Sequence, residues 1–312
     1  MKRIPILLAA AVLLGACSPK NFVDGQTGLK AEICRYRGDR KAAVSLTFDD
    51  GVSDHYTMVA PHLDSLGLKG TFWICPERLY DSRNVEKHHL TWDQARKMAA
   101  SGHEISNHGW SHRNLKNISF EEAKEEVTKC DEAIRKEIGK APVTMCFPYN
   151  AYNDAVLEFC SAGRVGCRLY QEAQGQKNHH STPESLSSWL EKTIRDGSWG
   201  VTMTHGIHHG YDQWDDENVL WNFYRQLASR QDEVWVGTFA QVASYIKERD
   251  NCTLKVKKSG RSVIITPECS LDPELYRENL TVRVTLDGEV RLFEVNPFGG
   301  SQKFEIRNEK NK

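Results

Sequence analysis

A chain of 312 residues, 39% hydrophobic and 27% charged, can bury one large domain with a small one, or two medium domains. Its formal net charge of −1 offers no basic surplus to hold nucleic acid or an anionic membrane surface by charge. Nucleic acid is excluded as a partner on that ground.

Lys2 and Arg3 precede the apolar run IPILLAAAVLL, which is short for a membrane span and reads as an export signal. The run ends in LLGAC, Leu13 to Cys17, which resembles the bacterial lipobox. That resemblance implies a signal peptide over residues 1–16, lipidation of Cys17 and an exported lipoprotein of the cell envelope. It would be held by acyl chains on a periplasmic or cell-surface face. An ordinary signal peptide with an incidental cysteine is the alternative. Residues 17–41 read as a tether leading to the first strand.

From residue 42 to about 249, short apolar runs alternate with longer amphipathic stretches. Seven strands are predicted, at 42–48, 70–75, 104–106, 143–147, 165–170, 201–205 and 234–236. Thr91 with Gln94 and Ser119 with Glu122 have capping-box spacing, and Gly102 and Gly139 suit helix C-termini. Seven βα units in one run predict a parallel α/β architecture. No GxGxxG follows the first strand, which favours a deformed (β/α)7 TIM-like barrel over an open dinucleotide-binding sheet. Residues 250–312 change character: alternating β-branched segments joined at SGR and DG predict a small all-β module leaning on the barrel. Cys252 and Cys269 flank a hairpin there and are the candidate disulfide, while Cys75 and Cys146 sit in apolar strand patterns as buried thiols.

The first strand ends in TFDDG, placing two adjacent carboxylates, Asp49 and Asp50, before Gly51. Turn chemistry accounts for such a pair. So does a division of labour in which one acid holds a metal and its neighbour serves as a base. HEISNHGWSH after the third strand sets His108 and His112 four apart, a spacing that on a helical turn puts two imidazoles on one face. CFPYN follows the fourth strand and His205 ends the sixth. In a parallel barrel all these strand ends open on the face where active sites lie.

TFDDG, His108-x-x-Ser-His112, MCFPYNAY and VTMTHGI together resemble the motifs of the polysaccharide deacetylases, the family with NodB homology (carbohydrate esterase family 4). The resemblance covers roughly residues 42–249. It implies a metal-dependent hydrolase that removes acetyl groups from polysaccharide, with N-acetylglucosamine units favoured over O-acetylated xylan. A glycan-binding protein without turnover is the reading from another class. By the same resemblance Asp50, His108 and His112 hold one divalent metal, zinc first, with cobalt, manganese or nickel as alternatives. Asp49 is the general base, the backbone N–H of Tyr149 beside Pro148 helps hold the oxyanion, and His205 is the general acid. Two family features are missing: the arginine of the third motif, whose place is taken by Cys146, and the Asp-Trp pair of the fourth. Arg168 is the candidate to replace that arginine, and Trp199 and Trp214, which flank the His205 segment, are candidates to line a sugar groove.

Overall fold

The computed structural model describes residues 21–24, 28–79, 88–176, 178 and 180–306. Cys17 and the proposed signal peptide lie outside the described residues. In chain order the elements are β1 (Asn21–Val23), β2 (Lys30–Ile33), β3 (Ala42–Phe48), α1 (Ala60–Ser65), β4 (Thr71–Ile74), α2 (Trp92–Ala100), β5 (Glu104–Asn107) and α3 (Phe120–Ile138). They continue with β6 (Thr144–Cys146), α4 (Asp154–Ser161), β7 (Gly166–Arg168), β8 (Glu172–Ala173), α5 (Pro183–Asp196), β9 (Trp199–Thr204), α6 (Asn218–Ser229), β10 (Val234–Val236) and α7 (Phe239–Asn251). Five strands end the chain: β11 (Cys252–Ser259), β12 (Ser262–Cys269), β13 (Leu280–Leu286), β14 (Glu289–Val295) and β15 (Gln302–Glu305).

Thr91 and Ser119 close reciprocal capping boxes with Gln94 and Glu122, and Gly139 ends α3 in the left-handed region. The helices therefore begin and stop where their own residues satisfy the terminal N–H and C=O groups. β3 is buried along its whole length, as a central parallel strand covered on both faces must be.

The parallel sheet runs β7-β6-β5-β4-β3-β9-β8. Its two edge strands, β7 and β8, are joined by Leu169, Tyr170 and Gln171 alone. Four Cα steps reach at most about 14 Å, so the sheet has to curl until its edges nearly meet. One stretch of chain thus closes the barrel, pairing first with β6 and then with β9. Two details depart from a regular (β/α)7 barrel. The strand predicted at 165–170 stops at Arg168, and β8 is an additional short strand. β10 pairs with the start of β3 on the edge whose far end belongs to β4, because β9 occupies the opposite edge throughout.

For the described residues 21–24 and 28–41 the expectation of a tether is corrected. β2 inserts beside β13 in a sheet ordered β1-β2-β13-β14, with Ile33 opposite Val282 and Ala31 opposite Val284. The missed signal is short but physical: Leu29, Ala31 and Ile33 alternate with polar residues, and all three are buried. The C-terminal β region is therefore two sheets, the second ordered β11-β12-β15. Its core joins that of the barrel, since Ala43, Trp235, Val242 and Tyr245 pack with Ile33, Val263, Ile265 and Val282. Cys252 and Cys269 face each other across β11 and β12 and form a disulfide. Cys75 and Cys146 are free, buried thiols. Among the described residues no helix is long and apolar enough to cross a membrane.

Candidate active site

Asp49 and Asp50 leave the end of β3 in different directions for a backbone reason. Asp50 adopts φ +75° and Gly51 φ +65°, so the chain turns sharply between neighbouring carboxylates. Left-handed conformations recur at this face. Among the described residues, seven non-glycine positions have positive φ, and Asp50, His112, Tyr149, Asn150 and Asp212 are five of them. Such conformations cost energy and persist where the surroundings enforce them.

Asp50 Oδ1 lies 3.3 Å from His108 Nε2 and 3.1 Å from His112 Nε2. The convergence does not come from a helix. Residues 108–112 form a loop in which Gly109 has φ +77° and His112 φ +62°. Neighbours hold that loop: Asn107 Oδ1 accepts from Gly109 N–H at 2.7 Å, and Glu126 of α3 accepts from the Ser111 backbone N–H at 2.8 Å and its hydroxyl at 2.6 Å. His108 Nδ1 is 3.0 Å from the Cys146 carbonyl oxygen, which can only accept. The proton therefore sits on Nδ1, and Nε2 keeps the lone pair that a metal needs. Asp50 Oδ1 is buried without a hydrogen-bond partner. Burial pushes the Asp50 carboxyl up; with protons on the two Nε2 atoms, hydrogen bonds from His108 and His112 outweigh that push and hold it below the usual carboxylate range. A metal would take the place of those protons. Two imidazole nitrogens and one carboxylate oxygen fit a divalent cation of the zinc type, with room left in a four-coordinate shell. Arg78 Nη1 stands 3.6 Å from the other carboxylate oxygen of Asp50.

Asp49 is buried and belongs to a second arrangement. Arg168 of β7 forks onto it, Nη1 to Oδ1 at 2.8 Å and Nη2 to Oδ2 at 2.5 Å. Burial alone would raise the Asp49 carboxyl, whereas Arg168, with His108 and His205 nearby, holds it below the usual range. Arg168 is itself buried, over the face of Trp73 and bonded to Thr47 Oγ1 at 2.8 Å. Cys146, at the place of the third-motif arginine, is its direct partner across β6 and β7.

His205 follows β9 on the same face. Asp212, buried and at φ +57°, places Oδ2 3.5 Å from His205 Nδ1. No sequence pattern singled out Asp212, because its relation to His205 depends on the intervening loop folding back. Asp54 and His55 hold that loop. Asp54 Oδ2 accepts the N–H groups of Ile207, His208 and His209 at 2.9, 2.6 and 2.8 Å, and His55 Nε2 bonds the His205 carbonyl. His55 is buried, which depresses its pKa to about 4 and keeps it neutral. His209 is engaged by Asp54 at 2.7 Å and His208 by Glu217.

Pro148 is buried beneath the site, and Tyr149 lies over His112 with ring centroids 4.7 Å apart. Neither predicted tryptophan lines the site. Trp199 begins β9, about 20 Å of strand from His205, and packs on Phe239 at the other end of the barrel. Trp214 is in the hydrophobic core behind the His205 loop. Trp214 follows the default for large aromatics, burial, and Trp199 is half-buried.

Residues 37–164 match the family described as polysaccharide deacetylase. A chitin deacetylase of Pestalotiopsis sp is 28% identical over 153 residues, 48% of each chain. A peptidoglycan-N-acetylglucosamine deacetylase of Bacillus cereus is 32% identical over 110 residues, 35% of this chain and 37% of the relative. The chain thus spans less than half the length of these curated relatives. A family 4 acetyl xylan esterase from Clostridium thermocellum, solved with a cobalt ion, shares the fold at 23% identity and a TM-score of 0.50, over 64% of this chain and 89% of that one. Residues 37–164, which contain Asp49 as well as Asp50, His108 and His112, carry the match to the polysaccharide deacetylase family.

Proposed function

We propose that this protein is a metal-dependent deacetylase that removes N-acetyl groups from a polysaccharide containing N-acetylglucosamine. The observation that carries the reading is the separation of two neighbouring carboxylates. Asp50 joins His108 and His112, while Asp49, still within 4.8 Å of His108, is paired with a buried arginine. Asp50, His108 and His112 would hold a divalent cation, which would supply Lewis-acid polarisation of an acyl oxygen and a lowered pKa for water. Asp49, kept ionised by Arg168, accepts the proton of the attacking water. Tyr149, on its strained turn, contributes a backbone N–H to the developing oxyanion. His205, oriented by Asp212, delivers a proton to the departing nitrogen, which an amide needs far more than an ester does.

The names of the curated relatives support a glycan substrate, chitin in one case and peptidoglycan in the other. The reading also includes export, cleavage before Cys17 and anchoring in the cell envelope, on the strength of the N-terminal residues. Residues 42–249 are proposed as the catalytic barrel.

The test is acetate release from N-acetylglucosamine oligomers, peptidoglycan and O-acetylated xylan, with chelator and with metal restored. Metal-dependent release from an N-acetylated substrate is the expected result. Release from xylan alone would make it an esterase; no release from metal-loaded protein on any of the three would overturn the deacetylase reading. Loss of palmitate labelling in Cys17→Ser checks the anchor.

A further inference from the structure

Apolar side chains left in water are informative when they cluster. Of the eight large ones left exposed among the described residues, four follow the catalytic ends of β6, β7 and β9. Three others share one place in the β region. Val23, Val290 and Leu292 are 61%, 53% and 45% exposed, and all belong to the sheet β1-β2-β13-β14. Its register sets them on one face. Val23 pairs with Lys30, Lys30 with Thr285 and Thr285 with Val290, so these four make a single row across the strands. The next row carries Glu32, Arg283 and Leu292. Side chains alternate between faces, so this face is opposite Phe22, Ala31, Val284 and Phe293, which pack into the shared core. Apolar residues thus stand on the two edge strands, about 14 Å apart, with polar residues between them. The middle is charge-balanced. Arg283 bonds both Glu32 and Asp39, and exposed Lys30 has a long stem that lifts its ammonium clear of an apolar contact.

Two further observations say what covers this face. β1 opens at Asn21, four residues after Cys17, and four Cα steps reach at most about 14 Å. An acylated Cys17 therefore keeps the start of β1 within that distance of the lipid. The shared core, for its part, meets the barrel at Ala43 and Trp199, where β3 and β9 begin. Asp49 and His205 follow the far ends of those strands, about 20 Å away. We propose that the outer face of β1-β2-β13-β14 lies on the bilayer that carries the anchor, with Val23, Val290 and Leu292 at the boundary of headgroups and acyl chains and the catalytic mouth turned outward. This rests on the proposed acylation of Cys17 and goes beyond it, because a flexible leash would leave the enzyme free to tumble. Three partly inserted side chains bind lipid weakly by themselves. The short connection to the anchor raises their effective concentration, so weak contact suffices to orient the molecule. With equal numbers of opposite charges in its middle, the face has no need of anionic lipid. The enzyme so held meets acetylated polymer standing off the membrane and not groups within the headgroup layer.

The experiment expresses the full chain in a bacterium that acylates lipoproteins and places the purified protein in phosphatidylcholine vesicles. Mass spectrometry of the N-terminal peptide reads acylation separately. Val23→Trp and Leu292→Trp report depth through quenching by brominated phosphatidylcholine. Phe120→Trp, 41% exposed where α3 leaves the catalytic side, is the reference. Subtracting the parent protein removes the emission of the eight native tryptophans. The added emission at 23 and at 292 should fall by at least about a third in brominated vesicles, with no dependence on salt, while that at 120 is unchanged. Val290→Asp with Leu292→Asp, at exposed positions, should abolish the quenching at 23 and leave acylation as it was. Acylated protein with no quenching at 23 and 292, or with equal quenching at 120, would overturn the docked face and leave the anchor intact. A chain without acyl groups that does not float with vesicles would overturn the anchor and the face together. Absence of quenching in a protein that dimerises without lipid, and that the two aspartates make monomeric, would give the face to a second copy instead.

Discussion

At the scale of single residues, the site works by keeping charges apart that sequence places side by side. Asp49 stays ionised in a buried position because Arg168 is forked on it, so removal of the guanidinium leaves burial unopposed. Arg168→Met should lower kcat by about 10²-fold and move the acidic limb of the kcat/KM profile to higher pH. Arg168→Lys should recover little, since an ammonium cannot make the paired contact. An unchanged pH profile in Arg168→Met would show that the pair is structural only. Asp212→Asn tests the acid. It should slow amide substrates about tenfold or more and activated esters much less, because in the proposed mechanism His205 protonates the leaving group, which an amide needs far more than an ester. Equal losses on both would remove Asp212 from that role.

At the scale of elements, β2 matters more than its four residues suggest. It lies between β1 and β13, and Leu29, Ala31 and Ile33 fill the core shared by the two halves of the molecule. A protein starting at residue 42 should aggregate or melt at least about 10 °C lower than one starting at residue 18. Equal melting temperatures would return residues 17–41 to the status of a tether. Ala31→Lys makes the same point by placing a charge at 1% exposure opposite Val284. The loops at the catalytic face act as elements too. An added Cβ at Gly206 would lie 1.6 Å from the His209 carbonyl oxygen, so the turn that presents His205 admits no larger residue.

At the scale of the whole molecule, the barrel and the β region share a junction with a buried acid. Glu248 of α7 is fully buried, accepts the Glu278 N–H at 3.0 Å through Oε1, and leaves Oε2 without a partner. Burial raises its pKa to about 8. A carboxyl that binds its proton more tightly folded than unfolded adds stability that is fully present below about pH 4 and lost as pH rises through about 8. The melting temperature should therefore fall by roughly 3–6 °C between pH 6 and pH 9. Glu248→Gln should flatten that fall; a wild-type curve with no decline would remove Glu248 as its cause.

Sequence alone determined what local chemistry controls. The seven main strands, the capping boxes at Thr91 and Ser119 and the glycine stop at Gly139 follow from period, cap and turn residues within a few positions of one another. The family motifs marked Asp49, Asp50, His108, His112 and His205 because their spacing is itself the signal. Tertiary structure decided everything that depends on two distant segments meeting. It set Arg168 on Asp49 across 119 positions, folded Asp212 back onto His205, seated β2 beside β13 and placed Trp199 and Trp214 away from the groove. A linear pattern shows that a tryptophan or arginine is present near a motif. Which face it occupies is settled by where the curled sheet closes, and here the three residues between β7 and β8 fix that closure.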